Sequence, residues 1–401
     1  MNDTILENRA ATLDKLRVDQ VGSLVPPDAL KQAHRKFVMG EISAEQLHAV
    51  QDKAVAESIR RQEDIGLPIL TDGEFRRSNF QDSFAAAVSG YDVPENAEAR
   101  TDWREAVNPH GRTEQKFELA GPAIRTRRPA MSRLALKRNV VLDEYRQVAP
   151  LATKAPVKVA LLGPDRISQR FAWEQSQAVY KGLDDFIADV VAIERQMITE
   201  LVAAGCRYIH MDAPGFTAYM DQVSLERMRA RGEDPQKNLE RAIKAENDVI
   251  AGFDGVTFGL HLCRGNTRSI DPKTGQMVAQ WHREGHYDSI AEQLFSSVKH
   301  QRLLLEYDSP RAGDFSPLRY VPAGTTAVLG LVTTKSTDIE QPDFLRRRLD
   351  EAAKYLPVDQ MAISPQCGFS SDIELIQLPE DVQWRKFESL METANKVWGN
   401  A

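Results

Sequence analysis

Short runs of apolar, β-branched residues alternate along the chain with longer segments whose apolar residues recur at the spacing of an amphipathic helix. The short runs predict eight β-strands: Asp19–Leu24, Pro68–Asp72, Val157–Leu162, Tyr208–Met211, Val256–Leu262, Leu303–Tyr307, Ala327–Val332 and Met361–Ser364. The clearest helical segments are Ala44–Ile65, Phe186–Ala204, Arg346–Tyr355 and Val382–Trp398. Repeated β-then-α units favour an α/β fold of the closed (βα)8, or TIM barrel, type. A doubly wound sheet is the alternative, but no GxGxxG fingerprint follows a predicted strand.

One segment, Ala85–Asn139, interrupts this alternation. It is polar and rich in arginine, and its two alternating runs, Gln115–Ala120 and Ala123–Ala130, predict an antiparallel hairpin. We therefore interpret residues 1–401 as a single barrel domain with an insertion at about 85–139, between units two and three. The insertion either folds over the barrel mouth or forms the surface of a homo-oligomer, and the sequence leaves both open.

Composition excludes several classes of protein. A net charge of −7 over 401 residues argues against a nucleic-acid surface, which requires a basic face. No stretch reaches the roughly 18 apolar residues of a membrane span, and the polar N-terminal residues lack the apolar core of a signal peptide. We expect a cytoplasmic enzyme. Its three cysteines, Cys206, Cys263 and Cys367, are too few and too scattered for a disulfide framework.

The strongest local motif is GLHLCRGN, in which His261 and Cys263 are separated by one residue at the end of the fifth predicted strand. Alternate residues of a strand point to the same face, so the imidazole and the thiol project together. By itself this pair also fits a buried cysteine beside a hydrogen-bonded histidine. However, Glu306 lies at the end of the sixth predicted strand and Cys367 just after the eighth, and strand ends meet at one rim of a barrel. The four residues are a suitable ligand set for Zn²⁺.

Such a ligand set favours chemistry at sulfur. Two thiolates and a carboxylate give the zinc site a net charge of about −1, and the weakest ligand, Glu306, can be exchanged for a substrate thiol. A coordinated thiol loses its proton and becomes a nucleophile toward an alkyl donor. Hydrolytic zinc sites usually contain few thiolates, so alkyl transfer is favoured over hydrolysis.

Further segments at strand ends extend the pattern: QVGSL at Gln20–Leu24, TDGEFRR at Thr71–Arg77 and HMDAP at His210–Pro214. Together with HLC, Glu306 and the QCG around Cys367, they resemble the cobalamin-independent methionine synthase family from about Arg17 to Trp398. In that family a His, two Cys and a Glu bind zinc, which activates homocysteine for methylation by a folate. The resemblance implies the zinc ligands His261, Cys263, Glu306 and Cys367, and the substrate-binding residues Ser23, Glu74 and Asp212.

The chain also departs from the family. GPDRISQRF, at Gly163–Phe171, lacks the tryptophan that stacks on the pterin, and Ala213 stands in place of a second acid. Lys335 occupies the position of a histidine linked to proton transfer, so the resemblance implies a catalytic role for it. The length leaves no room for the second barrel that contributes to binding polyglutamylated folate. These departures leave the methyl donor open: a small folate, methylcobalamin or another activated alkyl compound.

The sequence therefore predicts a zinc-dependent methyltransferase that acts on small molecules and converts homocysteine to methionine. The first alternative is a related zinc enzyme that transfers a ring-opened epoxide onto the thiol of coenzyme M. A turnover assay with a panel of thiols distinguishes this reaction from methylation of homocysteine. The others are a metal-free barrel of the uroporphyrinogen-decarboxylase type and a non-catalytic zinc or redox-sensing barrel. A measurement of zinc content distinguishes the metal-free barrel from the zinc proteins. A lack of turnover together with reversible release of zinc would support the non-catalytic barrel.

Overall fold

The computed structural model describes residues 13–77, 79–92, 128–265, 268–270, 277–279, 283–370, 373 and 378–399. The α-helices are α1 (Asp28–Val38), α2 (Ala44–Ile65), α3 (Asp82–Ala87), α4 (Val140–Val148), α5 (Pro164–Gln169), α6 (Leu183–Ala203), α7 (Gln222–Ala230), α8 (Pro235–Ile250), α9 (Ala291–Ser297), α10 (Pro342–Ala352) and α11 (Glu380–Trp398). The strands are β1 (Val88–Tyr91), β2 (Ala130–Leu136), β3 (Val159–Leu162), β4 (Tyr208–Asp212), β5 (Thr257–Leu262), β6 (Arg268–Ile270), β7 (Met277–Ala279), β8 (Arg302–Glu306), β9 (Thr326–Val332) and β10 (Met361–Pro365).

Six of these strands form a parallel sheet in the order β10-β9-β8-β5-β4-β3. Every residue of the six strands is buried, which is typical of a parallel sheet covered on both faces. The register aligns the carboxyl ends: Asp212 of β4 lies opposite His261 of β5, and Glu306 of β8 lies opposite Gly330 of β9. Polar side chains that follow these strands therefore collect at one edge.

The first two predicted strands, Asp19–Leu24 and Pro68–Asp72, are not continuous strands. They form only the isolated parallel bridges Val18↔Ile363, Ser23↔Gly73 and Leu70↔Val157, which connect the β10 edge of the sheet with the β3 edge. Side chains replace the missing ladder bonds: Thr71 donates its hydroxyl to the Gly22 carbonyl, and the Gln20 amide donates to the Ile69 carbonyl. The hydrophobic pattern cannot distinguish a continuous strand from a segment held by side-chain hydrogen bonds, because the same residues are buried in both.

Helix prediction is most accurate where the end signals are strong. Helix α2 has the predicted bounds because Ser43 and Gln46 form a reciprocal capping box at its start. It ends at Gly66, whose φ of 85° is a left-handed conformation that favours glycine. The other three predicted helices are confirmed as α6, α10 and α11, with ends that differ from the prediction by at most four residues.

The predicted insertion is described only near its two ends. Strands β1 and β2 pair antiparallel there, with Val88 opposite Leu136. The alternating run Gln115–Ala120 and most of Ala123–Ala130 lie outside the described residues. Within the described ranges, no helix combines the length and the apolar character required to cross a lipid bilayer.

Candidate metal and substrate site

The carboxyl edge of the sheet places the predicted site residues near one another. Asp212 is the last residue of β4, His261 is the fifth of six residues in β5, and Cys263 follows β5 directly. Glu306 ends β8, and Cys367 comes two residues after β10. Their side chains share one edge because the strands are parallel and in register.

A buried group of one imidazole and two thiols lies at this edge. The candidate ligand atoms of His261, Cys263 and Cys367 are all within 4.8 Å of one another. The two sulfur atoms are 3.2 Å apart, and both cysteines are free thiols. Cys206 is buried elsewhere, where its thiol faces the carbonyl of Tyr208 at 3.5 Å. The group therefore contains two of the three cysteines.

The imidazole of His261 is oriented by an acid. Its Nδ1 lies 2.8 Å from Oδ1 of Asp212, while its Nε2 is buried and has no hydrogen-bond partner. Burial opposes a charge on this ring, but the hydrogen bond and the charge of Asp212 outweigh it and raise the pKa of His261. A histidine bound by a carboxylate through one nitrogen presents the other to a metal. The unpartnered Nε2 and the two soft sulfur atoms thus fit a zinc ion.

The two thiols differ electrostatically. A hydrogen bond from Cys367 lowers the pKa of Cys263 to about 7, although burial acts in the opposite direction. The charge of His261 and a hydrogen bond from the Gly265 N–H lower this pKa further. The same hydrogen bond, with burial, raises the pKa of the Cys367 thiol well above its usual range. The pair therefore tends to share one proton.

Glu306 lies outside the group of three. Its carboxylate accepts hydrogen bonds from Arg311 and from the Arg264 backbone N–H, and Lys335 Nζ lies 3.3 Å from Oε1. Lys335 also reaches Asp308 Oδ2 at 3.0 Å. Burial disfavours the charge of Glu306, but the cations Lys335 and Arg311 outweigh it and lower its pKa. Glu306 is thus held as a charged carboxylate by cations in this structure.

Glu74 occupies an unusual backbone conformation. Its φ of 59° is the only positive value found at a non-glycine residue in the described ranges, and its backbone N–H donates to Asp72 Oδ1 at 2.9 Å. Strained backbone of this kind is often found at functional sites. Burial raises the pKa of Glu74 to about 8 against the opposing charge of Arg77, with further contributions from the charges of Asp212 and Asp72. A bound cation would stabilise its carboxylate form.

Two glycines leave space for the predicted substrate residues Glu74 and Ser23. A Cβ at Gly22 would lie 3.1 Å from Oε1 of Glu74 and 3.9 Å from the ring of His210. A Cβ at Gly368 would lie 2.0 Å from the hydroxyl of Ser23, so Ser23 packs directly against the residue after Cys367. Only glycine fits at positions 22 and 368 without displacing these side chains.

Sequence reasoning missed two features of this site. His210 Nε2 lies 3.1 Å from Asp212 Oδ1, and burial lowers the pKa of His210 to about 4. Its spacing of two residues from Asp212 on a strand was an available signal. Arg77 binds Glu144 through both carboxylate oxygens and lies 3.6 Å from Glu74. No local pattern connects Glu144 to this site, because it comes from α4.

Comparisons with known proteins identify relatives that match most of the chain. The sequence model of the catalytic domain of cobalamin-independent synthase matches residues 18–109. The uncharacterized protein YxjH of Bacillus subtilis is 31% identical over 388 residues, which cover 95% of this chain and 94% of that protein. A methionine synthase of Pyrococcus abyssi is 25% identical and covers 87% of this chain, with 84% of its own length matched.

Solved structures show the same fold. A Listeria monocytogenes protein assigned as a vitamin-B12 independent methionine synthase superposes with a TM-score of 0.70 at 21% identity, covering 96% of this chain and 98% of its own. A B12-independent methionine synthase from a Shewanella species, in complex with selenomethionine, gives a TM-score of 0.67 at 18% identity, covering 95% and 97%. The chain belongs to the cobalamin-independent methionine synthase-like family.

Proposed function

We propose that this protein is a zinc-dependent methyltransferase that moves a methyl group onto the sulfur of homocysteine and forms methionine. The observation that carries the proposal is the buried convergence of the His261 imidazole, whose Nε2 has no hydrogen-bond partner, with the thiols of Cys263 and Cys367. Family membership supports the reaction class, and methionine synthase is the name of the relative from Pyrococcus abyssi. The donor is a methyl-folate or another methyl compound.

Zinc would be held by His261, Cys263 and Cys367, with Glu306 as the exchangeable fourth ligand. When bound, the ion lowers the pKa of a coordinated thiol and keeps it as a nucleophilic thiolate. Asp212 holds a proton on His261 Nδ1, which leaves Nε2 as the coordinating atom. Arg311 and Lys335 hold the carboxylate of Glu306 when it is not a ligand.

Substrate recognition rests on Glu74, Asp212 and Ser23. The two carboxylates bind the ammonium of homocysteine in a shielded cleft, where charge-assisted hydrogen bonds are strong. Ser23 and the adjacent backbone receive the carboxylate. In this arrangement the amino acid is anchored at one end while its thiol points toward Cys263 and Cys367.

Lys335 is the proposed catalytic residue of the chain. Its ammonium lies between Glu306 and Asp308, at 3.3 and 3.0 Å. The Lys335 ammonium can balance the charge of Glu306, whether that carboxylate is held by Arg311 or would serve as a zinc ligand. An effect of Lys335→Met on kcat without a change in zinc content would support this role.

The first experiment measures metal. We expect about one zinc per chain in the purified protein and loss of most of it in Cys367→Ser, since a hydroxyl is a poor replacement for a thiolate. Cys206→Ala is the matched control and keeps its zinc, because Cys206 is buried away from the site. A Cys367→Ser protein with full zinc content would refute the ligand set.

The second experiment measures turnover. The zinc-loaded protein is supplied with homocysteine and a panel of methyl donors, and methionine is quantified. Replacing homocysteine with 2-mercaptoethanesulfonate and adding an epoxide tests the alternative reaction. Glu74 and Asp212 disfavour that reaction because they would face a sulfonate. Product from the sulfonate thiol alone would replace the proposal with that alternative.

We further infer that residues 1–401 form one closed (βα)8 barrel with the insertion at about 85–139. The inference is supported by the bridges that join the two sheet edges through Val18, Ser23 and Leu70. The amides of Asp19 and Leu70 donate to Ile363 and Pro156 across these bridges. Hydrogen exchange should protect both amides as strongly as those of β9, whereas rapid exchange at both would indicate an open sheet.

A further inference from the structure

Two arginines beside the candidate metal group have only neutral hydrogen-bond acceptors. Arg166 donates to the amide oxygens of Gln81 and Gln169, at 3.1 and 3.4 Å. Arg283 donates to the Pro214 carbonyl and to the hydroxyl of Thr217. In the part of the chain that the structure describes, no carboxylate forms an ion pair with either guanidinium. Both charges are therefore uncompensated by direct contact.

Asp165 attracts both arginines electrostatically but forms no ion pair with either of them within the described residues. Its two oxygens accept hydrogen bonds from Tyr219 and Gln169, both at 2.9 Å. Burial raises the pKa of Asp165 to about 6 even though Arg283 and Arg166 favour its charged form. A third cation, Arg170, repels Arg166, and burial together with this repulsion lowers the pKa of Arg166 well below its usual range. Cations that lie together with limited access to water cost free energy unless an anion lies against them.

The cluster lies next to the thiols. Thr217 connects the two features, because its hydroxyl donates to the Cys263 carbonyl at 2.8 Å and accepts from Arg283 at 3.0 Å. The Cys263 thiol also acts electrostatically on both Arg166 and Arg283. An anion bound by these arginines would thus be held beside Cys263.

We propose that Arg166 and Arg283 form an oxyanion-binding subsite beside Cys263, which receives a carboxylate, phosphate or sulfonate group of a substrate. The planar fork of each guanidinium is suited to such a group. The link to catalysis rests on the proposed function, whereas anion binding itself does not. The acid group belongs either to the methyl donor or to the thiol, in which case the arginines would bind the homocysteine carboxylate in place of Ser23, and the chemistry of recognition is the same for both.

Anion binding is tested first, with inorganic phosphate as the probe. Calorimetric titration of the zinc-loaded protein, at constant ionic strength in chloride, should show phosphate binding. We expect Arg166→Gln and Arg283→Gln each to weaken it by about 10- to 100-fold, the usual effect of removing a charge-assisted hydrogen bond. Arg138→Gln is the matched control, because Arg138 is exposed and pairs with Asp143, and the variant should bind phosphate like the wild type.

The source of the acid group is tested by kinetics. If the thiol supplies it, Arg166→Gln raises KM for homocysteine and for 2-mercaptoethanesulfonate but not for 3-mercaptopropylamine, which has no acid group. If the donor supplies it, the increase in KM follows acid-bearing donors and is the same with every thiol. Either pattern supports the subsite, and unchanged KM values for all substrates would overturn its role in the reaction.

Other outcomes separate this proposal from simpler explanations. Absence of phosphate binding by the wild-type protein, or equal binding by Arg166→Gln, would overturn the subsite. Loss of zinc from Arg166→Gln without any phosphate effect would also overturn it, since the arginines would then only balance the thiolates. If Cys367→Ser loses zinc but still binds phosphate through Arg166, the subsite is independent of the metal. If the protein methylates no thiol while phosphate binding depends on Arg166, the proposed function fails and the subsite stands.

Discussion

Strands β4 and β8 each carry a buried polar group at both ends, and the two ends differ in how completely those groups are paired. At the amino ends, Tyr208 and Arg302 contact Asp19, which also binds Lys158. At the carboxyl ends, Asp212 and Glu306 border the candidate metal group. Both regions are removed from water, so the comparison isolates the effect of pairing.

The amino-end network is fully paired around Asp19. Its Oδ1 accepts from Lys158 at 2.7 Å, and its Oδ2 accepts from Arg302 at 2.8 Å and from Tyr208 at 2.6 Å. The Gln20 backbone N–H is a further donor to Oδ1, at 2.8 Å. Lys158 and Arg302 outweigh the cost of burial and hold the pKa of Asp19 well below its usual range. Nothing in this network requires a ligand.

At the carboxyl ends, by contrast, the buried polar groups are not all paired. His261 Nε2 has no partner, and each of the two thiols faces the other at 3.2 Å. Each of these five-residue strands thus has at one end a network that holds the fold together and at the other end a site that needs another molecule. Buried polar groups that lack partners are rare in proteins and usually mark a function.

The largest effect is expected from breaking the paired network. Asp19→Asn removes the charge that balances Lys158 and Arg302, and we expect the free energy of unfolding to fall by about 3–5 kcal/mol. Chemical denaturation measures this loss. Asp143→Asn, in the exposed pair with Arg138, is the control and should cost less than about 1 kcal/mol. Equal losses in the two variants would mean that burial of the network does not matter.

A smaller effect is expected at the substrate acids. Glu74→Gln should keep its zinc and weaken binding of homocysteine by about 1.5–3 kcal/mol, or roughly 10- to 150-fold, through loss of a charge-assisted hydrogen bond. Binding of a homologous thiol without the amine should be unaffected. Isothermal titration with both thiols makes the comparison, and an equal penalty for both would exclude a role of Glu74 in binding the ammonium.

The orienting acid of the metal group should have a related effect on the metal. Asp212→Asn keeps the side-chain shape but removes the charge beside His261 Nδ1, so we expect zinc affinity to fall by about 10- to 100-fold. Competition with a zinc chelator measures the change. His34→Gln is a control because His34 is a buried histidine on α1, away from this site. Unchanged affinity in Asp212→Asn would show that His261 does not depend on the carboxylate.

The smallest expected effect concerns pH. The pKa of Asp19 is depressed in the folded state, so its stabilising contribution is present above the unfolded pKa of about 3.9 and is lost as pH falls toward the folded value. The difference in unfolding free energy between the wild type and Asp19→Asn should stay constant from neutral pH to about pH 5. Below that it should shrink by at most about 1.4 kcal/mol per pH unit. A difference that grows in acid would contradict the pairing of Asp19 with Lys158 and Arg302.

Patterns that are local in the chain were sufficient for much of this architecture. Apolar periodicity and the capping residues Ser43 and Gly66 define α2, and six of the eight predicted strands form the parallel sheet. The alternation of His261 and Cys263 on β5 follows from strand geometry alone. Because parallel strands end at one edge, the sequence also predicted that Cys367 would lie near Cys263, although 104 residues separate them.

Tertiary structure decided which groups are paired. It placed Arg311 and Lys335 on Glu306, Asp212 on His261, and neutral acceptors around Arg166 and Arg283. It also replaced two predicted strands by isolated bridges in which side chains supply the missing hydrogen bonds. The sequence determines periodicity and residue chemistry because both are properties of neighbours along the chain. Hydrogen-bond partners from distant segments depend on packing, where differences of a few tenths of an ångström decide whether a buried group is satisfied.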